Sequence, residues 1–206
     1  MEREELICQI AEKRSFLCVE LNPDMDKIPG CLKKGYIGET LLAFNQAIIE
    51  STSSFAVAYK IDKKFYERWG TAGVMAFRAT VAWLQNNYSE VLLISDKQDK
   101  EGLKVIKYKR VFTRSLDDCR DTIYCVGASD VAEARKIMPK HFLLVTGVNA
   151  ESMTEVAKQG LMEDGGLLFN FSHDIIHADS TTKFAFMAMQ KAHDLQQEMQ
   201  KLLLSF

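Results

Sequence analysis

Six short runs along the chain combine apolar and β-branched residues in the manner of strands buried on both faces: FLCVEL (16–21), FAVAYK (55–60), VLLIS (91–95), IYCVG (123–127), FLLVT (142–146) and LLFNF (167–171). Between them the period lengthens. Val74, Phe77, Val81, Leu84 and Tyr88 recur at spacings of three and four, which predicts one face of a helix, and Phe184, Ala188, Ala192, Leu195, Met199 and Leu202 do the same near the end of the chain. Ser152 with Glu155 reads as a capping box ahead of Val156, with Gly160 as a helix stop. Strand and helix alternating with no Pro- or Gly-rich linker predict an α/β domain with a parallel sheet, doubly wound or closed as a barrel; periodicity does not choose between them. Residues 101–122, EGLKVIKYKRVFTRSLDDCRDT, depart from the pattern. They are highly charged, show no clear amphipathic helix, and hold one candidate seventh strand at Val105–Val111.

A chain of 206 residues with 47% hydrophobic content suits one domain, 1–206, better than two. Its 26 basic and 28 acidic residues are interspersed, so it has no charge footprint for nucleic acid or a membrane surface, and the expected ligand is small. Five cysteines, at 8, 18, 31, 119 and 125, have no metal-type spacing and several lie in apolar runs, which argues against a disulfide framework. MEREELICQIAEKRS lacks the features of a secretory signal, and no apolar run approaches the roughly 18 residues of a membrane span. A cytoplasmic protein is expected.

In parallel α/β folds ligands bind at the carboxyl ends of the strands. Polar residues follow each predicted strand, as solvent-exposed ends require in any such protein. Two ends stand out. Thr146-Gly147-Val148-Asn149 leads into a helix whose free N–H groups could hold an anion, although a single glycine also fits a simple turn. Lys60 and Lys97 close buried apolar runs, where a cation needs water, an acid or an anionic ligand.

Taken in order, FLCVELNPDMDKIP, AFNQAIIESTSSFAVAYKIDKKFYERWG, LISDKQDKEG, YCVGASDVAEARKIMP, HFLLVTGVNAES and LLFNFSHDIIHA closely resemble the orotidine 5′-phosphate decarboxylase family, in its bacterial type 2 branch. The resemblance covers nearly everything except about 101–122. It implies a TIM-type (β/α) barrel, usually dimeric, that decarboxylates orotidine monophosphate to UMP in pyrimidine biosynthesis without metal or organic cofactor.

The family's signature after its third strand is D-x-K-x-x-D, in which the lysine supplies a proton and positive charge to the carbanion-like centre left by CO₂. Aligning Lys97 with that lysine sets Ser95 at the first aspartate and Lys100 at the second. Setting Asp96 and Asp99 against the acids gives D-x-x-D instead, with Gln98 for the lysine. A one-residue slip also turns a strand side chain to the opposite face. Lys60 belongs to the same network, so the expected site clusters Lys60, Lys97 and Lys100 with no designed acid among them.

The remaining motifs depart similarly. The family's GLD, whose aspartate contacts ribose, reads Glu20-Leu21-Asn22; its phosphate loop keeps Gly147 but has Glu151 for a glutamine; its phosphate-gripping SSRGI keeps Ser172 but has His173 for the arginine. Histidine cannot make the guanidinium fork. The family also has two further strand and helix units where 101–122 stands, and a (β/α)₈ barrel takes about 250 residues. A distorted barrel of six or seven strands is therefore expected, as a homodimer.

These departures imply a non-catalytic or impaired relative that keeps the fold and binds a small anion, a nucleotide-like ligand or a protein partner. Two readings compete with it: an active decarboxylase with rearranged catalytic groups, and another reaction on the same barrel with Lys97 or His173 as acid or base.

Overall fold

The computed structural model describes residues 2–33, 35–95, 104–107 and 122–205, with backbone alone for 104–107. Strands form at all six predicted runs: β1 (Leu17–Glu20), β2 (Ala56–Ile61), β3 (Leu92–Ser95), β5 (Thr122–Gly127), β6 (Phe142–Thr146) and β7 (Leu167–Phe171). A seventh, β4 (Lys104–Lys107), begins one residue before the candidate seventh strand; 108–111 of that candidate lie outside the described residues. All pair in parallel, in the order β3-β2-β1-β7-β6-β5-β4. β3 and β4 are neighbours in sequence yet stand at opposite ends of that order, and the sheet curls into part of a barrel with helices outside it.

Eight α-helices are described: α1 (Arg3–Lys13), α2 (Ile37–Thr52), α3 (Lys63–Glu67), α4 (Gly70–Asn87), α5 (Val131–Ile137), α6 (Met153–Gly160), α7 (His173–Ile176) and α8 (Phe184–Leu203). On α8 the six apolar residues at helical spacing are all buried, joined by Gln196. Burial of each of the larger ones, Phe184, Leu195, Met199 and Leu202, contributes on the order of 1.5–3 kcal/mol.

Two local expectations need correction. On α4 the buried face is Gly73, Ala76, Phe77, Thr80 and Leu84, whereas Val74, Val81 and Tyr88 are only half-buried. The helix is turned toward its glycine because a Cβ on Gly73 would stand 2.0 Å from the Tyr66 carbonyl oxygen, and because Thr80 accepts a hydrogen bond from Asn45. At α6, Ser152 makes no side-chain cap. The reciprocal box lies one turn earlier: Ser152 N–H donates to Asn149 Oδ1 at 2.8 Å and Asn149 N–H to Ser152 Oγ at 3.1 Å. Gly160 is the last residue of α6, not a stop beyond it; a Cβ there would meet Val131 Cγ1 at 2.5 Å and Leu167 Cδ2 at 3.0 Å.

The amino-terminal end of the strands is tied by cations to main-chain carbonyls. Arg135 donates to the carbonyls of Gly160 (2.9 Å), Met138 (3.0 Å), His141 (2.7 Å) and Gly166 (2.8 Å), joining α5, α6 and the starts of β6 and β7. Lys13 Nζ donates to the Ser53 and Ala56 carbonyls, fixing α1 to the start of β2. Arg3 pairs with Asp164 at 2.6 Å and lies 4.7 Å over the Phe142 ring.

Candidate functional site

Strand period and register decide which side chains meet inside the curled sheet. Tyr59 faces the helix layer, where its hydroxyl bonds Thr52 and the Ile49 carbonyl of α2. Lys60, next along β2, therefore points inward. Glu20 of β1 is level with Lys60, and Asn170 of β7 is level with Cys18 of β1. At the carboxyl ends these residues join: Lys60 Nζ donates to Glu20 Oε1, and Asn170 Nδ2 donates to Glu20 Oε2 at 2.7 Å. Lys60 and Asn170 are buried and Glu20 nearly so.

A second layer of contacts holds the end of β1. Ser172 Oγ reaches Asn22 Oδ1 and, at 3.2 Å, the Glu20 carbonyl. Tyr66 Oη donates to the Leu21 carbonyl at 3.0 Å and accepts from Asn45 Nδ2 at 2.8 Å, while Asn45 also donates to Thr80 at 3.0 Å. Burial pushes the Tyr66 phenol above its ordinary range, so it stays a neutral donor. Three helices thereby position the loop that carries Asn22.

The expected cluster of lysines without an acid does not hold at Lys60, because Glu20 supplies one. Sequence reasoning passed over Glu20 and Asn170, although a signal was present: each is a polar residue inside an otherwise apolar run, FLCVEL and LLFNF. Lys97 and Lys100 lie outside the described residues. On β3, Ile94 is level with Lys60 and Ser95 with Ile61. Ser95 therefore shares the helix-facing side with Tyr59 and Ile61, and Ile94 shares the inward side with Lys60.

Gly147 takes φ +76°, a conformation that favours glycine, and begins the turn into α6. That turn uses two of its own N–H groups in the Asn149–Ser152 box, leaving fewer free for an anion, and Glu151 is exposed on it. His173 opens α7 and is exposed between two clefts. One is lined by Asn22, Asp24, Phe65, Arg68 and Trp69; the other by Lys27, Ala150, Asp174, His177 and Lys191. Arg68 stacks 3.7 Å over the Phe65 ring. Asn22, Lys60 and Ser172 thus meet through Glu20, whereas Gly147 and Glu151 sit on the neighbouring loop.

His177 accepts from the Asp24 N–H at Nε2, 2.8 Å away, and stacks on Phe44. Burial, reinforced by the neighbouring His173, lowers its pKa to about 4, so it is neutral at pH 7. Burial pushes the Cys18 thiol well above its usual range, which removes it as a nucleophile. The described cysteines 8, 18 and 31 are free thiols. Among the described residues no group of three or more His, Cys, Asp or Glu could hold a metal ion, and no helix is long and apolar enough to cross a membrane.

Compared with models of known protein families, the chain matches none. Individual proteins are another matter. It is 30% identical to an orotidine 5′-phosphate decarboxylase of Phocaeicola vulgatus, with 98% of this chain and 99% of that one covered. With the orotidine 5′-phosphate decarboxylase of Parabacteroides distasonis the identity is 32%, covering 97% and 95%. The P. vulgatus alignment is 272 positions long, 66 more than this chain has residues, so the relative carries segments that this chain lacks. Among solved structures, the orotidine 5′-monophosphate decarboxylase of Plasmodium berghei superposes with a TM-score of 0.70 at 13% identity, covering 98% of this chain and 99% of that one. The OMP decarboxylase of Leishmania donovani gives 0.66 at 18%, covering 99% of each. These likenesses carry the fold, a TIM-type barrel. Near-complete coverage at 30% identity or more makes this chain a member of the orotidine 5′-phosphate decarboxylase family.

Proposed function

We propose that this protein is a decarboxylase-fold relative of the UMP-forming enzymes whose own decarboxylation step is lost or strongly impaired, and that it retains a site for a small anionic or nucleotide-like ligand. The observation that carries this reading is the engagement of Lys60: its ammonium is given to Glu20, a carboxylate from β1 outside the D-x-K-x-x-D signature. The altered positions Asn22, Glu151 and His173 support it, since each replaces a group that the resemblance assigns to ribose or phosphate. We place the shortening at about 101–122 in a single domain, and read the protein as a cytoplasmic homodimer working without metal or organic cofactor.

One observation favours the alternative of an active decarboxylase with rearranged groups. The inward side of β3 carries Ile94 beside Lys60, and Ser95 is on the helix-facing side, so Ser95 does not fill the first aspartate's place there. On this alternative Asp96 stands for the first signature aspartate and Lys97 for the lysine, with one residue fewer between them.

The test is release of labelled CO₂ from orotidine monophosphate by the pure protein. Release far slower than that of the relatives is expected, since removal of even one oxyanion-hole donor costs an enzyme about 10²–10³-fold in rate, and several groups are altered here. Turnover comparable to that of the full-length relatives overturns the proposal, and its abolition by Asp96→Asn would establish the alternative.

A further inference from the structure

Resting on the reading above, we propose that Glu20 is an internal counter-anion: it occupies the place on Lys60 that a ligand's carboxylate would take, and so closes this end of the pocket to carboxylated nucleotides. Three observations carry it. Glu20 is the last residue of β1 and level with Lys60 on the inward side, at the strand ends where barrels of this kind bind ligands. Both of its carboxylate oxygens are engaged, Oε1 by Lys60 and Oε2 by Asn170, so donors on the two flanking strands hold it from either side. The pair is shielded, with side-chain exposures of 11% for Lys60 and 17% for Glu20, so water screens it weakly.

A buried ammonium needs an anion. Where the chain provides one, an incoming carboxylate must displace it and leave it stranded, or stand beside it against like-charge repulsion. Either way the pocket selects against a second negative group at Lys60, while an uncharged ring edge meets no such barrier. Glutamine at position 20 has the same shape and keeps an oxygen for Lys60, but leaves the ammonium with its charge unspent.

Calorimetry with orotidine monophosphate, and with UMP as the otherwise identical ligand lacking the carboxylate, tests this on the whole protein at neutral pH. Glu20→Gln is expected to bind orotidine monophosphate about tenfold or more tightly than the wild type, with a much smaller change for UMP, and the gain should vanish in Glu20→Gln/Lys60→Met. Equal affinities in wild type and a folded Glu20→Gln, or a gain that survives loss of Lys60, overturn the proposal. Should Glu20→Gln not fold, acetylation of lysines in the wild type read by mass spectrometry decides: Lys60 is expected to be protected with or without ligand, and protection that depends on orotidine monophosphate refutes Glu20 as its partner. Failure here with CO₂ release far slower than that of the relatives leaves the impaired-decarboxylase reading intact, whereas release by the wild type comparable to theirs removes that reading directly.

Discussion

The two ends of the strands are held by different kinds of bond. At the amino-terminal end, apart from the Arg3–Asp164 pair, Arg135, Lys13 and Gln196 donate to main-chain carbonyls. At the carboxyl end, Lys60 and Asn170 bond the Glu20 carboxylate and Ser172 bonds the Asn22 amide, side chain to side chain. Carbonyl acceptors exist whatever the sequence, so a change at the first end acts on stability through its donor alone. At the second end the bonds around Lys60 join side chain to side chain, so one substitution there rewires the charge. The division of labour in barrels, stability below and chemistry above, follows from that difference.

The sharpest way to break the comparison is Arg135→Ala. Four carbonyls lose one guanidinium, and a cost of about 3–5 kcal/mol is expected, read as a shift of the urea midpoint. Arg135→Lys should recover only part of it, because an ammonium lacks the planar fork. A loss below about 1 kcal/mol would show that the lower end does not depend on this clamp.

Gly160→Ala comes next, at about 1–3 kcal/mol from overpacking against Val131 and Leu167. Thermal unfolding should show it, and a second change, Val131→Ala, should relieve part of it by vacating the contact. No relief would place the strain elsewhere.

The smallest effect lies at the upper end and depends on pH. His177 has a folded pKa of about 4, below the ordinary 6.5, so the unfolded chain binds the proton more readily. Its contribution is present in full above about pH 6.5, falls as pH drops from there to about 4, and changes no further below that. After discounting for its partial exposure, roughly 1–2 kcal/mol is expected. Denaturation at a series of pH values, compared with His177→Gln, should show the slope in the wild type only. An equal slope in both would assign it to other groups.

Much of the fold was legible because its signals are local. Apolar runs at 16–21, 55–60, 91–95, 123–127, 142–146 and 167–171 became strands within a residue or two, and the α8 face was read correctly in full. One misreading fell where another helix decides, since α4 turned to seat Gly73 against the Tyr66 carbonyl; the other was a choice between two local boxes, and the one at α6 formed at Asn149 and Ser152. At the site, the sequence drew attention to Asn22, Lys60 and Ser172, but Glu20 passed as a changed glycine of a ribose motif. Its partnership with Lys60 spans 40 positions, and only register brings it about.

The sequence by itself determined the order of strands and helices and the family resemblance, since both are written in neighbouring residues and in motif blocks. The tertiary structure decided which of those residues face one another. It set Ser95 on the helix side and Ile94 beside Lys60, and it gave Lys60 to Glu20. The physical reason is that strand parity becomes an inward or outward direction only when one strand is fixed in register against the next.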